Sequence, residues 1–224
     1  TSLDNLLGRL LARLEADGTA DNTLVVFTSD HGDMLWSQGL LYKCVPYEES
    51  VNVPLLIRWP KGLPPGRVCD TLVNTPDVFP TLAGLMGLPI PETVQGQDLS
   101  AALQGRPDAP RPTSAFLSQY TPYVFRADNP TPPWRGVRTE RYTYAETQDR
   151  QPWLFFDNAR DPYQLLNLAG VRDYAPVAEA LHAELDAWLL RLGDPFLPVD
   201  EMKAQFATPY RWPEESALEE VPVY

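Results

Sequence analysis

The chain reads as an α/β protein: a parallel or mixed sheet flanked by helices, followed by a smaller antiparallel sheet with one helix. Three observations predict this. A leucine-striped segment over residues 2–16 leads into an apolar run over residues 23–28, the helix-to-strand step that feeds a parallel strand. That run, Thr23-Leu24-Val25-Val26-Phe27-Thr28, is too apolar to have a wet face, as in a strand covered on both sides. Beyond residue 112, short alternating runs replace the helix–strand rhythm, which suits antiparallel strands.

In the first segment Leu3, Leu6, Leu7, Leu10, Leu11 and Leu14 fall on one helical face, with Ser2 as N-cap and Gly18 just past the end. The strand then gives way abruptly to Ser29-Asp30-His31-Gly32-Asp33, where Gly32 permits a tight backbone path. In open α/β sheets the ligand crevice lies outside the carboxyl ends of the strands, so a site is expected here. Asp30 offers oxygen and His31 a neutral nitrogen, a pair suited to a divalent cation. Asp30-His31-Gly32-Asp33 also suits an ordinary polar turn leaving a buried strand. Lys43 follows His31 by twelve residues, ahead of Pro46-Tyr47-Glu48-Glu49-Ser50 and a second apolar run, Val53-Pro54-Leu55-Leu56-Ile57.

Residues 60–66 are a Pro/Gly loop, and residues 70–73 allow a short strand. Thr75-Pro76-Asp77 reads as N-cap, first-turn proline and first-turn acid of a helix ending at Gly87, with Val78, Phe79, Leu82, Leu85 and Met86 on one face. A Pro- and Arg-rich shift at residues 105–112 marks a boundary. The expected division is therefore 1–105 for the α/β part, 106–193 for a small α+β subdomain and 194–224 for a tail. Strands are expected over residues 114–119, 134–139, 141–146 and 153–157, and a helix over 172–192 with Val177, Leu181, Leu185, Trp188 and Leu189 inward. His182 on that helix reads as a surface or packing residue, not a metal ligand. The stretch from Tyr120 to Trp134, rich in Pro and aromatics and carrying Arg126 with Arg135 just after it, is either the mouth of a site or a rigid connection. The tail is expected to wrap around the body or a partner subunit, making a homo-oligomer, or to be partly disordered.

The ordered set TSDHGDMLWSQGLLYK, PYEES and VPLLIRWP resembles the formylglycine-dependent sulfatases and their relatives, the phosphonate and phosphate ester hydrolases of the alkaline phosphatase superfamily. The segment from Asp77 to Pro91 and Gln95-Gly96-Gln97-Asp98-Leu99 extend the resemblance, and both are assigned to packing. It implies the carboxyl-terminal half of an alkaline-phosphatase-like fold and, for a full-length protein, hydrolysis of a sulfuric ester. It implies Asp30 and His31 as ligands of a divalent metal, calcium first with manganese or zinc as alternatives. Lys43 is implied as a catalytic and substrate-binding contact to the sulfate or phosphate oxygens. The Asp-His pair, where many arylsulfatases have Asp-Asn, looks more like the choline-sulfatase and phosphonate-hydrolase branches. Trp36 and Gln38 stand where many members have Gly and His.

The family's nucleophile is a formylglycine made from the Cys of Cys-x-Pro-Ser-Arg or Cys-x-Ala-Ser-Arg, and neither signature occurs in the chain. Cys44-Val45-Pro46 continues with Tyr47 and Glu48 instead of Ser and Arg, and it lies downstream of the metal pair. Cys44 and Cys69 are therefore read as ordinary thiols, close enough in expectation for a pairing to be open. The expectation is a truncated chain supplying half a site and inactive alone, with formylglycine upstream. Two alternatives stand beside the sulfatase reading: a phosphonate monoester or phosphodiester hydrolase, and a non-catalytic sulfatase-like interaction module.

Composition agrees with a globular unit. At 224 residues and 44% hydrophobic, the chain can bury a core. Thirty acidic against eighteen basic residues give a net charge of −12 with no Lys/Arg run, which argues against nucleic acid and against an anionic membrane surface. An acidic protein that takes a small anionic ester must concentrate positive charge locally. No run reaches transmembrane length, and a soluble protein is expected, cytoplasmic or periplasmic/secreted.

Overall fold

The computed structural model describes residues 2–120 and 131–205. The expectations placed on Arg126 and on the tail beyond residue 205 lie outside them. Helix α1 (Ser2–Ala16) forms where the leucine spacing predicts, and the chain leaves it through Gly18 at φ +70°. None of its residues is buried, and Leu3 is 68% exposed. An amphipathic stripe folds as helix whether or not a neighbour covers it, and here Leu7, Leu11 and Leu14 are half-buried while Leu3, Leu6 and Leu10 stay exposed.

Strand β1 (Val25–Thr28) pairs antiparallel with β2 (Leu55–Arg58), in register from Val25 opposite Arg58 to Thr28 opposite Leu55. The parallel pairing anticipated for β1 is not among the described residues. Both strands are half-buried, because among the described residues they have only each other beside them. Between them lies the short helix α2 (Glu48–Val51). Residues 70–73 form no strand.

A 3-10 turn over Thr75–Asp77 leads into helix α3 (Val78–Met86), and that turn starts one residue earlier than the sequence suggests. Asn74, not Thr75, is the cap: its side chain accepts the Thr75 N–H at 3.0 Å, and Asp77 Oδ2 accepts the Asn74 N–H at 2.8 Å. The buried face is Pro80, Thr81, Ala83 and Leu85, while Phe79 and Met86 are exposed, contrary to the predicted stripe. Small residues win this face because the segment before α4 (Ser100–Leu103) approaches closely. The Thr81 hydroxyl accepts the Leu99 N–H at 3.0 Å, and a Cβ on Gly96 would sit 1.9 Å from the Pro76 carbonyl oxygen. The segment packs, as its sequence implies.

Strands β3 (Ser114–Gln119), β4 (Trp134–Thr139), β5 (Tyr142–Thr147) and β6 (Pro152–Asp157) form an antiparallel meander in that order. One face packs on α5 (Ala175–Leu192) through Val137, Tyr144 and Phe155 against Leu181, Leu185 and Leu189. The other face meets the chain around Tyr47, whose ring lies 5.4 Å from that of Phe156. The sheet is thus a middle layer, buried continuously over residues 134–137, 143–146 and 154–157 instead of alternately. A short helix, α6 (Val199–Gln205), opens the tail.

Polar groups inside this layer are matched in place. Glu146 is fully buried, accepting from the Tyr144 hydroxyl and Arg150 Nε at 2.7 Å each and pairing with His182 Nδ1. That contact gives His182 the packing role expected of it. Asp157, also buried, takes the Arg141 guanidinium through Nε at 2.9 Å and Nη2 at 2.6 Å, which holds its carboxyl below the usual carboxylate range. A carboxylate whose pKa is lowered by folding contributes stability that is complete above its unfolded value and is lost as pH falls through the folded one. Urea titrations are therefore expected to show stability declining as pH drops below about 4. Asp157→Asn should be less stable near neutrality and show a shallower acid decline.

Candidate functional site

The exit of β1 is built around Gly32. Its N–H donates to the Ser50 carbonyl at 2.9 Å, tying the site turn to the end of α2. A Cβ at this position would lie 1.9 Å from the Glu49 carbonyl oxygen, so only glycine allows the approach. On this turn Asp30 is 83% exposed, and its Oδ1 accepts the His31 N–H at 3.0 Å. That N–H holds the Asp30 carboxyl below the usual carboxylate range.

His31 has one nitrogen committed. Nδ1 lies 2.8 Å from the Gly32 carbonyl oxygen, which can only accept, so the proton belongs on Nδ1. Nε2 is then a lone pair in the neutral ring, 3.4 Å from Asp30 Oδ2. Carboxylate oxygen and imidazole nitrogen stand side by side, the carboxylate largely exposed and the ring partly so. This donor chemistry fits two positions in the shell of a divalent cation. It does not close one: among the described residues no group of three or more His, Cys, Asp or Glu can hold a metal ion.

Lys43 sits on a strained loop that follows the turn. Leu35, Trp36, Gln38, Tyr42 and Cys44 all have positive φ, between 44° and 77°, a region that non-glycine residues seldom adopt. The loop is over-determined by its contacts. Met34 is buried, its N–H donates to the Tyr42 carbonyl at 2.6 Å, and the Trp36 N–H donates to the Leu40 carbonyl at 2.8 Å. Asp30, His31 and Lys43 line one cleft of about 1370 Å³, whose opposite walls come from residues 71–76, β3 and β4. All three residues singled out in the sequence thus line the same cleft.

Cys44 and Cys69 also line the cleft, and both are free thiols, so the pairing left open by the sequence does not form. Burial pushes the Cys44 thiol up, away from the thiolate a nucleophile needs.

The supports of the loop were not legible in the sequence. The Trp134 indole N–H donates to the Cys44 carbonyl at 2.9 Å. Arg138 Nε pairs with Glu48 at 2.7 Å with both side chains largely buried, and the Glu48 N–H donates to Gln164 Oε1 at 2.8 Å. Gln38 reaches the Tyr163 carbonyl at 2.8 Å. Trp134 and Arg138 share a face of β4 four residues apart, as Cys44 and Glu48 are four apart in the loop, and this matching spacing is the only sequence signal of the contact.

A family model described as N-sulphoglucosamine sulphohydrolase, C-terminal, matches residues 37–189. The chain belongs to this sulfatase family. It is 38% identical over 200 residues to an ulvan-active sulfatase of Formosa agariphila, covering 88% of this chain and 38% of that protein. A candidate sulfatase of known structure from Bacteroides fragilis superposes with a TM-score of 0.74 at 32% identity, over 88% of this chain and 42% of that one. A phosphonate monoester hydrolase of Agrobacterium radiobacter gives 0.69 at 31% identity, over 87% and 39%. This sulfatase-family chain thus spans about two fifths of the length of these relatives. The folds agree with the alkaline-phosphatase-like architecture expected from the sequence.

Gly32→Ala is expected to lower stability by about 1–3 kcal/mol, because the methyl must displace the α2 backbone. Gly8→Ala on α1, where nothing lies within 4 Å of the new Cβ, should stabilise by up to about 1 kcal/mol. Denaturant midpoints of the two variants, read at unchanged m-value, check this contrast.

Proposed function

We propose that this chain forms one wall of the active site of a metal-dependent sulfuric ester hydrolase, and that the nucleophile and the remaining metal ligands are residues outside it. The observation that carries this reading is that Asp30, His31 and Lys43 line one cleft beside the exit of β1 in a sulfatase-family chain. A sulfate ester bears its negative charge on the non-bridging oxygens, and that charge must be held while sulfur is attacked. Asp30 and His31 would hold a divalent cation, which when bound acts as a Lewis acid toward those oxygens. The hard carboxylate favours calcium, and the imidazole nitrogen keeps manganese and zinc open. Gly32 sets the His31 tautomer by accepting from Nδ1, so that Nε2 is the atom left for the cation. Lys43 places a compact ammonium charge on the ester oxygens, and the contacts that lock its strained loop keep that charge in place without reorganisation. By resemblance, the nucleophile is a formylglycine.

A second reading, phosphonate monoester hydrolysis, is favoured by the Asp30-His31 pair and the likeness to the Agrobacterium radiobacter enzyme. The expected ligand in both is a small anionic ester, with neither nucleic acid nor membrane as partner. No described helix is long and apolar enough to cross a membrane.

The test uses the full-length protein that contains this chain. Bound divalent metal, measured by elemental analysis, should fall on replacing Asp30 or His31 by Ala. Lys43→Ala should reduce turnover of an aryl sulfate about 10²- to 10³-fold with metal content unchanged. Faster turnover of an aryl phosphonate than of the sulfate would select the second reading. Absence of metal together with no turnover of either ester would leave an interaction module on this fold.

A further inference from the structure

Strand β4 begins with two side chains that leave opposite faces of the sheet and grip two different walls of the cleft. Trp134 holds the Cys44 carbonyl, next to Lys43. Arg135 turns the other way and is 1% exposed. Its Nε donates to Asp194 Oδ2 at 2.6 Å, its Nη2 to Asp194 Oδ1 at 3.4 Å, and its Nη1 to the carbonyls of Gln119 at 3.0 Å and Trp134 at 3.1 Å. The guanidinium carbon lies 4.1 Å from the centre of the Tyr120 ring and 4.5 Å from that of Phe196. Three stretches of chain, the end of β3, the start of β4 and the turn after α5, are thereby pinned at one buried cation.

Tyr120 is the aromatic ring of this cluster that is exposed, at 49%, and with Gln119, Trp134 and Asp194 it lines the cleft that holds Asp30, His31 and Lys43, whereas Arg135 and Phe196 do not. A tyrosine packed on a buried guanidinium, half exposed and lining a cleft, is an aromatic platform presented at small entropic cost. Adjacent residues of one strand hold both the platform and the Lys43 loop, so the distance between them is set by the backbone of β4.

We propose that Tyr120 is a specificity-determining residue that stacks on a ring, aryl or pyranose, in the organic part of the ester, and that Arg135 is the positioning residue that seats it. This rests on the ester-hydrolase reading of the same cleft. It favours ring-bearing esters over short acyclic ones, because an acyclic chain offers the Tyr120 ring little flat surface.

The test compares phenyl sulfate with ethyl sulfate in the full-length protein, by equilibrium binding and by turnover. Tyr120→Ala is expected to weaken phenyl sulfate binding and raise its KM about 5- to 10-fold. For that ester kcat should stay within about twofold, the pattern of lost uniform binding, and ethyl sulfate should be unaffected. Tyr120→Phe should keep wild-type values. Arg135→Lys, which keeps the charge and loses the flat guanidinium, should raise KM for phenyl sulfate alone, and the Tyr120 variants carry the test should it fail to fold. Equal losses on both esters, a fall in kcat at unchanged KM, or a wild type that binds both esters equally would overturn the proposal. A wild type that binds phenyl sulfate in a Tyr120-dependent way and hydrolyses neither ester would reject the hydrolase reading and leave this one standing.

Discussion

The site depends on β4. One face of this strand, through Trp134 and Arg138, holds the backbone at Cys44 and the carboxylate of Glu48. The other, through Val137, is locked into the core beneath α5. A central strand is rigid because its backbone is paired on both sides, here with β3 and β5. That rigidity passes to a loop with almost no regular structure of its own. The Arg138–Glu48 pair is well suited to transmit it, since both side chains are largely buried and the pair restricts the loop to one register in a way that apolar contact does not. Removing either partner would strand a buried charge, so the pair acts more as a constraint on geometry than as a source of stability.

A sheet buried on both faces must also place its polar residues, and it does so by turning them into cross-links. Glu146 ties β5 to α5 through His182 and to the following turn through Arg150. Ser114 receives the Trp188 indole N–H at 2.7 Å and donates to Glu184 at 2.5 Å, fastening β3 to the same helix. Thr143, on the opposite face, accepts from Asn158 at 2.9 Å and from Gln164 at 3.3 Å, and Gln164 in turn receives the Glu48 N–H. Among the described residues no buried side-chain nitrogen or oxygen lacks a partner. The hydrogen-bond chain from Thr143 through Gln164 to Glu48 runs from the middle of the core to the loop that carries Lys43, so core packing and site geometry are one structure.

Local pattern makes the second sheet and α5 legible almost to the residue, because short β-rich runs between turns and the 3.6-residue repeat are set by the segment itself. Asp30, His31 and Lys43 are singled out by an ordered motif, and all three line one cleft. What stays hidden is non-local. The antiparallel β1–β2 pairing cannot be read from two apolar runs, which suit either direction. The exposure of Phe79 and Met86 runs against periodicity because Thr81 and Ala83 pack where a close backbone approach excludes larger groups. Arg138, Trp134 and Gln164 look like hairpin and loop residues, since nothing near them in sequence announces Glu48 or Cys44.

The strained loop gives the arrangement its physical sense. Five non-glycine residues at positive φ within ten positions cost of order 1–3 kcal/mol each by general experience, a large sum for one loop. Such a loop survives only when other contacts outweigh the alternatives, and here they come from a buried Met34, two short-range backbone bonds and three anchors on the second sheet and the segment after it. A relaxed loop would need fewer anchors but would let Lys43 sample many positions. On the proposed reading, in which Lys43 meets charge developing on an ester, each of those positions would carry a reorganisation cost at the moment of reaction. Strain paired with redundant anchoring is therefore what a preorganised cation requires. It also accounts for the second sheet lying against the site segment with both faces buried, since a sheet with one wet face could not support α5 and the loop together.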